Sequence, residues 1–113
     1  MKYTSLAQSD LCISKIAFGC GPLGGSDWGA FNEKETMSAV SKAYELGINF
    51  FDTADIYGLG KSEELLSKAL GSKRKEVVIS TKFGVSWEKK QRKRALTFYD
   101  SSPKAITKAL EGS

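Results

Sequence analysis

Three side chains near the middle of the chain have the types and spacing for proton transfer: Asp52, Tyr57 five residues on, and Lys82 beyond them. A tyrosine phenol can give a proton to the oxygen of a carbonyl that receives hydride. With a free pKa of about 10, though, it is a reluctant acid near neutral pH. An ammonium beside it favours the phenolate and lowers that pKa, while a carboxylate keeps the ammonium charged and oriented. Such a trio suffices for proton transfer. Hydride transfer needs a bound cofactor as well.

Each residue also has an ordinary reading: Asp52 as a turn cap through Thr53-Ala54, Lys82 as a strand-end lysine reaching solvent, Tyr57 as loop packing beside Gly58. What favours the chemical reading is their joint placement. Ile16-Ala17-Phe18-Gly19-Cys20-Gly21, Ile48-Asn49-Phe50-Phe51-Asp52 and Val77-Val78-Ile79-Ser80-Thr81-Lys82 read as short buried strands. Their starts lie about 30 residues apart, the length of one strand-plus-helix unit, so a parallel sheet with helical crossovers is expected. If the second and third strands are neighbours about 4.8 Å apart, Asp52 and Lys82 emerge together at their carboxyl ends. Tyr57 can then fold back over them.

The connecting elements are equally legible. Asn32 is the expected N-cap of a helix carrying Met37, Val40, Ala43 and Tyr44, stopped by Gly47. Ser62 is expected to cap a second helix with Leu65, Leu66, Ala69 and Leu70, ended by Gly71. Ser102-Pro103 opens a third, on which Ala105, Ile106, Ala109 and Leu110 are expected to face inward. The first fifteen residues read as polar and irregular. Gly24, Gly25 and Gly29 make the loop from Pro22 to Ala30 pliable.

Composition narrows the class. The 113 residues, 41% hydrophobic and 27% charged, suit one soluble globular domain. Most of the net charge of +4 sits in Lys89-Lys90-Gln91-Arg92-Lys93-Arg94, read as a solvated loop or helix face rather than a nucleic-acid or membrane site. No apolar run approaches the roughly 20 residues of a membrane span, and no signal-peptide pattern opens the chain, so a cytoplasmic location is expected. With no histidine and two ill-spaced cysteines, Cys12 and Cys20, a metal site is not expected. The Gly19-Cys20-Gly21 turn is also a poor dinucleotide fingerprint of the open-sheet type, lacking the third glycine.

The stretch from Gly47 to Gly58, with Asp52-Thr53-Ala54-Asp55-Ile56-Tyr57-Gly58 at its end, runs on to Ser62-Glu63-Glu64-Leu65-Leu66. It closely resembles the signature of the aldo-keto reductases. Val77 to Gly84 resembles that family's third strand, and Ile16 to Gly21 its first. The resemblance implies an α/β fold: the first three β/α units of a (β/α)8 TIM barrel with parallel strands, truncated, residues 1–113 being the N-terminal part of one barrel domain. It implies reduction of an aldehyde or ketone, with NADP(H) as cofactor and NAD(H) left open. Tyr57 would be the general acid, Lys82 the group that lowers its pKa, and Asp52 the lysine's partner. Gly19, Cys20, Gly21 and Asp52 would lie beside the nicotinamide, and Trp28 and Trp87 would either shape the substrate pocket or simply pack their loops.

The family's fourth catalytic residue is a histidine, and this chain has none. Its members run to roughly 300 residues, in keeping with a barrel of at least 200. Three units leave two open sheet edges. The chain by itself is therefore expected to be inactive and to be marginally folded, self-associating through those edges or dependent on the rest of a barrel, with a small carbonyl compound as the substrate of the whole enzyme. The alternative is a non-catalytic binding or regulatory module on a partial barrel.

Overall fold

The computed structural model describes residues 1–25, 32–91 and 94–113. The chain opens with a hairpin in which β1 (Tyr3–Ser5) pairs antiparallel with β2 (Cys12–Ser14). The expectation of an irregular start is therefore corrected. Two three-residue strands are too short to carry a readable alternation, and the ribbon is held from a distance. Asn49 accepts from the Ser14 N–H at 2.7 Å and donates to the Cys12 carbonyl at 2.9 Å, while the Tyr3 hydroxyl donates to the Gly47 carbonyl.

Next come β3 (Phe18–Gly19), α1 (Glu33–Glu45), β4 (Phe50–Asp52), α2 (Lys61–Leu70) and β5 (Val78–Ser80). The three strands form one parallel sheet in the order β3-β4-β5. This is the repeated strand–helix pattern that the spacing predicts. Period-two alternation explains which side each residue takes. Phe18, Phe51 and Ile79 are in register and join the core under the helices; the Phe18 and Phe51 rings lie 5.7 Å apart. Phe51, Val40, Leu65 and Leu66 are at most 1% exposed. Gly19, Asp52 and Ser80 form the next row, on the opposite face.

The caps follow local chemistry. Asn32 accepts from the backbone N–H groups of Lys34 and Glu35, as expected of an N-cap before Glu33 and Glu35. Gly71, at φ 51°, ends α2. The start of α2 differs from expectation. Its cap is Gly60, in the left-handed region at φ 91°, and Ser62 lies one residue inside the helix, fully buried. Its hydroxyl is committed elsewhere.

After β5 the chain makes an antiparallel hairpin, β6 (Val85–Gln91) with β7 (Arg94–Tyr99), and ends in α3 (Pro103–Gly112). Within the basic stretch, Lys89, Lys90 and Gln91 lie in β6 and Arg94 in β7, where a solvated loop or helix face is expected from the sequence; Arg92 and Lys93 lie outside the described residues. Like charges along a segment do not forbid pairing when β-branched and aromatic residues flank it. Ser102 caps α3 through the Ala105 N–H, as expected. The inward face expected for α3 is only partly covered: Ala105, Ile106 and Ala109 are half-buried and Leu110 is 73% exposed. An amphipathic pattern specifies a face, not the surface that covers it. Trp28 lies outside the described residues.

Candidate active site at the carboxyl ends of the strands

Asp52 is the last residue of the central strand, and Lys82 lies two residues past Ser80, its neighbour in β5. Parallel pairing therefore delivers both side chains to the same end of the sheet. The Lys82 Nζ donates to Asp52 Oδ2 at 2.8 Å and to the Thr53 carbonyl at 2.9 Å. It also stands over the Tyr57 ring, 5.2 Å from the centroid, at cation–π range. The lysine is pushed in two directions: burial works against its charge, while the hydrogen bond and charge of Asp52 favour it. The net effect raises its pKa above the ordinary value. Asp52, Tyr57 and Lys82, separate in sequence, are thus one cluster.

Tyr57 is carried by a tight turn. Its N–H donates to Ala54, its carbonyl accepts from the Ser62 N–H, and Gly58 follows it at φ 62°. The Gly58 main chain lies directly against that of Gly24. In this way the short helical turn Gly21–Gly24 after β3 buttresses the loop that bears the phenol.

The Gly19-Cys20-Gly21 turn borders the same cluster, Gly19 being in register with Asp52. A Cβ built on Gly19 or Gly21 would meet nothing within 4 Å, so both backbones face open space at the strand end. A flat ring can approach there without side-chain obstruction. Cys20 is different. It is fully buried, its N–H donates to Asp52 and its carbonyl accepts from Ser62 and Leu23. Burial first, then the Asp52 charge, push its thiol up to about 12. It shapes the turn from inside.

Thr53 and Ser62, to which the sequence assigns no part in the site, are polar and at most 1% exposed. Their hydroxyls are 3.0 Å apart. A serine just after a glycine turn looks like a cap, so the sequence offered no sign of this pairing. Asp55, two residues before Tyr57, lines a cavity of about 470 Å³ with Trp87 and Phe98 of the hairpin and Lys104 and Lys108 of α3. Burial is the main cause of the raised pKa of its carboxyl. Among the described residues no helix is long and apolar enough to cross a membrane, and no group of three His, Cys, Asp or Glu could hold a metal.

Comparison with known proteins identifies the family. The model of the aldo/keto reductase family matches residues 15–113. An aldo-keto reductase of Bacillus subtilis is 38% identical over 93 residues, which are 80% of this chain and 28% of that protein. The versiconal hemiacetal acetate reductase of Aspergillus parasiticus is 44% identical over 92 residues, 75% of this chain and 27% of that one. Among solved structures, the glycerol dehydrogenase of Gluconobacter oxydans superposes with a TM-score of 0.85 at 33% identity, over 97% of this chain and 34% of its own. The chain thus spans about a third or less of these relatives' length.

Proposed function

The chain belongs to the aldo/keto reductase family, and from that premise we propose that it carries the proton-transfer half of a carbonyl reduction. The observation that supports this most is the 2.8 Å contact between Lys82 and Asp52, with the same ammonium over the Tyr57 ring. The family works with nicotinamide cofactors. When bound, the nicotinamide supplies the hydride. Gly19 and Gly21 would lie along it, and Asp52 would stand at its edge.

Tyr57 Oη gives a proton to the carbonyl oxygen as charge develops there. Lys82 stabilises the phenolate left behind, and Asp52 keeps the lysine charged and pointed inward. The substrate is a small aldehyde or ketone. NADP(H) is the proposed cofactor, with NAD(H) as the alternative. The relatives named as a reductase and a dehydrogenase fit a reaction that runs in either direction.

The 113-residue chain alone is proposed to be inactive. It contains no histidine to orient a carbonyl, and β3 and β5 are outer strands whose free edges favour self-association. Tyr57→Phe in a barrel-length protein carrying these residues tests the assignment. Turnover is expected to fall by roughly 10²- to 10⁴-fold, with cofactor affinity kept. Unchanged turnover would remove Tyr57 as the acid and favour a binding role.

A further inference from the structure

Ser62 makes more cross-element connections than a helix residue needs. Its hydroxyl donates to the Cys20 carbonyl at 2.8 Å and lies 3.0 Å from the Thr53 hydroxyl. A serine hydroxyl has one proton. With that proton given to Cys20, the hydrogen between Ser62 and Thr53 must come from Thr53. The chain of donation therefore runs one way, from Thr53 to Ser62 to Cys20. The Ser62 N–H donates in addition to the Tyr57 carbonyl at 3.1 Å.

One buried residue thus joins three segments. These are the open glycine turn after β3, the loop that bears Tyr57, and Thr53, whose carbonyl holds Lys82 at 2.9 Å. Both residues are at most 1% exposed, so losing one hydroxyl strands its partner in the interior.

We propose that Ser62, acting through Thr53 and Cys20, is a positioning residue that fixes the Gly19–Gly21 turn relative to Tyr57 and Lys82. Hydride and proton must arrive at two adjacent atoms of one carbonyl, so the surfaces that deliver them need a fixed separation. The strands set this at the row of Gly19, Asp52 and Ser80 and through two last ladder bonds, from the Cys20 N–H to the Asp52 carbonyl and from the Thr53 N–H to the Ser80 carbonyl. The Ser62 junction ties the residues at the ends of that ladder, Cys20 and Thr53, to the loop that bears Tyr57. This inference rests on the reductase reading above.

The test follows the Lys82 ammonium, which Ser62 does not touch, by lysine 13Cε NMR titration of a barrel-length protein carrying these residues. Three variants are compared: Ser62→Ala, the near-isosteric Thr53→Val, and Asp52→Asn as a control on the site itself. Asp52→Asn is expected to lower the Lys82 midpoint, because the hydrogen bond and charge of Asp52 favour the ammonium. Ser62→Ala and Thr53→Val are expected to move the Lys82 signal and raise its acid constant about threefold, with the circular dichroism of the fold retained. Lys82 titrating as in wild type in both hydroxyl variants, while Asp52→Asn still responds, overturns the junction and leaves the reductase reading in place. A silent Asp52→Asn overturns the site and the junction together. If Ser62→Ala does not fold, Thr53→Val decides.

Discussion

The main chains of Gly24 and Gly58 meet without side chains between them. A Cβ on Gly24 would stand 2.5 Å from the Gly58 nitrogen, and one on Gly58 would stand 2.4 Å from the Gly24 Cα. No side chain can retreat to relieve this, because both contacts are with backbone. The contact joins the turn after the first parallel strand to the loop that holds Tyr57.

Alanine at either glycine should therefore destabilise the fold by about 2 kcal/mol or more. Gly58→Ala should be the worse of the two, since Gly58 also has φ 62° and the left-handed region costs about 1 kcal/mol for a residue with a Cβ. Gly112→Ala, where a Cβ meets nothing, is the control and should be close to neutral. Urea midpoints at constant slope measure all three. Equal midpoints for Gly24→Ala and Gly112→Ala would mean that the two loops do not touch.

The two cysteines should differ sharply in reactivity. Cys12 is exposed and Cys20 fully buried. A thiol raised from 9.0 to about 12 keeps its proton in the folded state. Its contribution to stability is therefore complete below pH 9.0 and fades as the pH climbs through that window towards 12. Three pK units reduce the thiolate fraction about a thousandfold. Iodoacetamide at pH 8 should label Cys12 alone in the folded chain and both cysteines in urea, as read by peptide mass. Comparable labelling of Cys20 under native conditions would contradict its burial.

Asn49→Ala should release the N-terminal hairpin. The amide of Asn49 holds the Ser14 N–H and the Cys12 carbonyl, and its own N–H donates to the Ser14 hydroxyl. Ser14 is 1% exposed, so the freed N–H has no water to turn to. A loss of about 1–3 kcal/mol is expected. Amide exchange should accelerate across residues 3–14, with α1 and α2 still protected. Uniform loss of protection would instead place Asn49 in the global core.

Much of the architecture was legible in the order of residues. The β-branched run at Val77-Val78-Ile79, the glycines that end α1 and α2, and the caps Asn32 and Ser102 are local signals whose physics acts within a few residues. The same holds for the candidate site. Asp52 and Lys82 were placed together because strand ends are predictable and parallel neighbours emerge side by side. Elements with weak local signals were not legible. The N-terminal hairpin depends on a side chain 35 residues away, and the strands that hold Lys89, Lys90, Gln91 and Arg94 pair through Val85, Ser86 and Trp87 against Thr97, Phe98 and Tyr99, outside the basic stretch itself.

What the sequence determined by itself, then, is the succession of strands and helices, the family, and which charged and phenolic groups stand at the strand ends. Only the tertiary structure decided that Ser62 is a buried junction and not a cap, that Cys20 points inward, and that Gly24 and Gly58 touch. The reason is physical. Periodicity and capping are short-range preferences of a chain, whereas the partner of a buried hydroxyl or a bare backbone is set by packing between segments far apart in sequence.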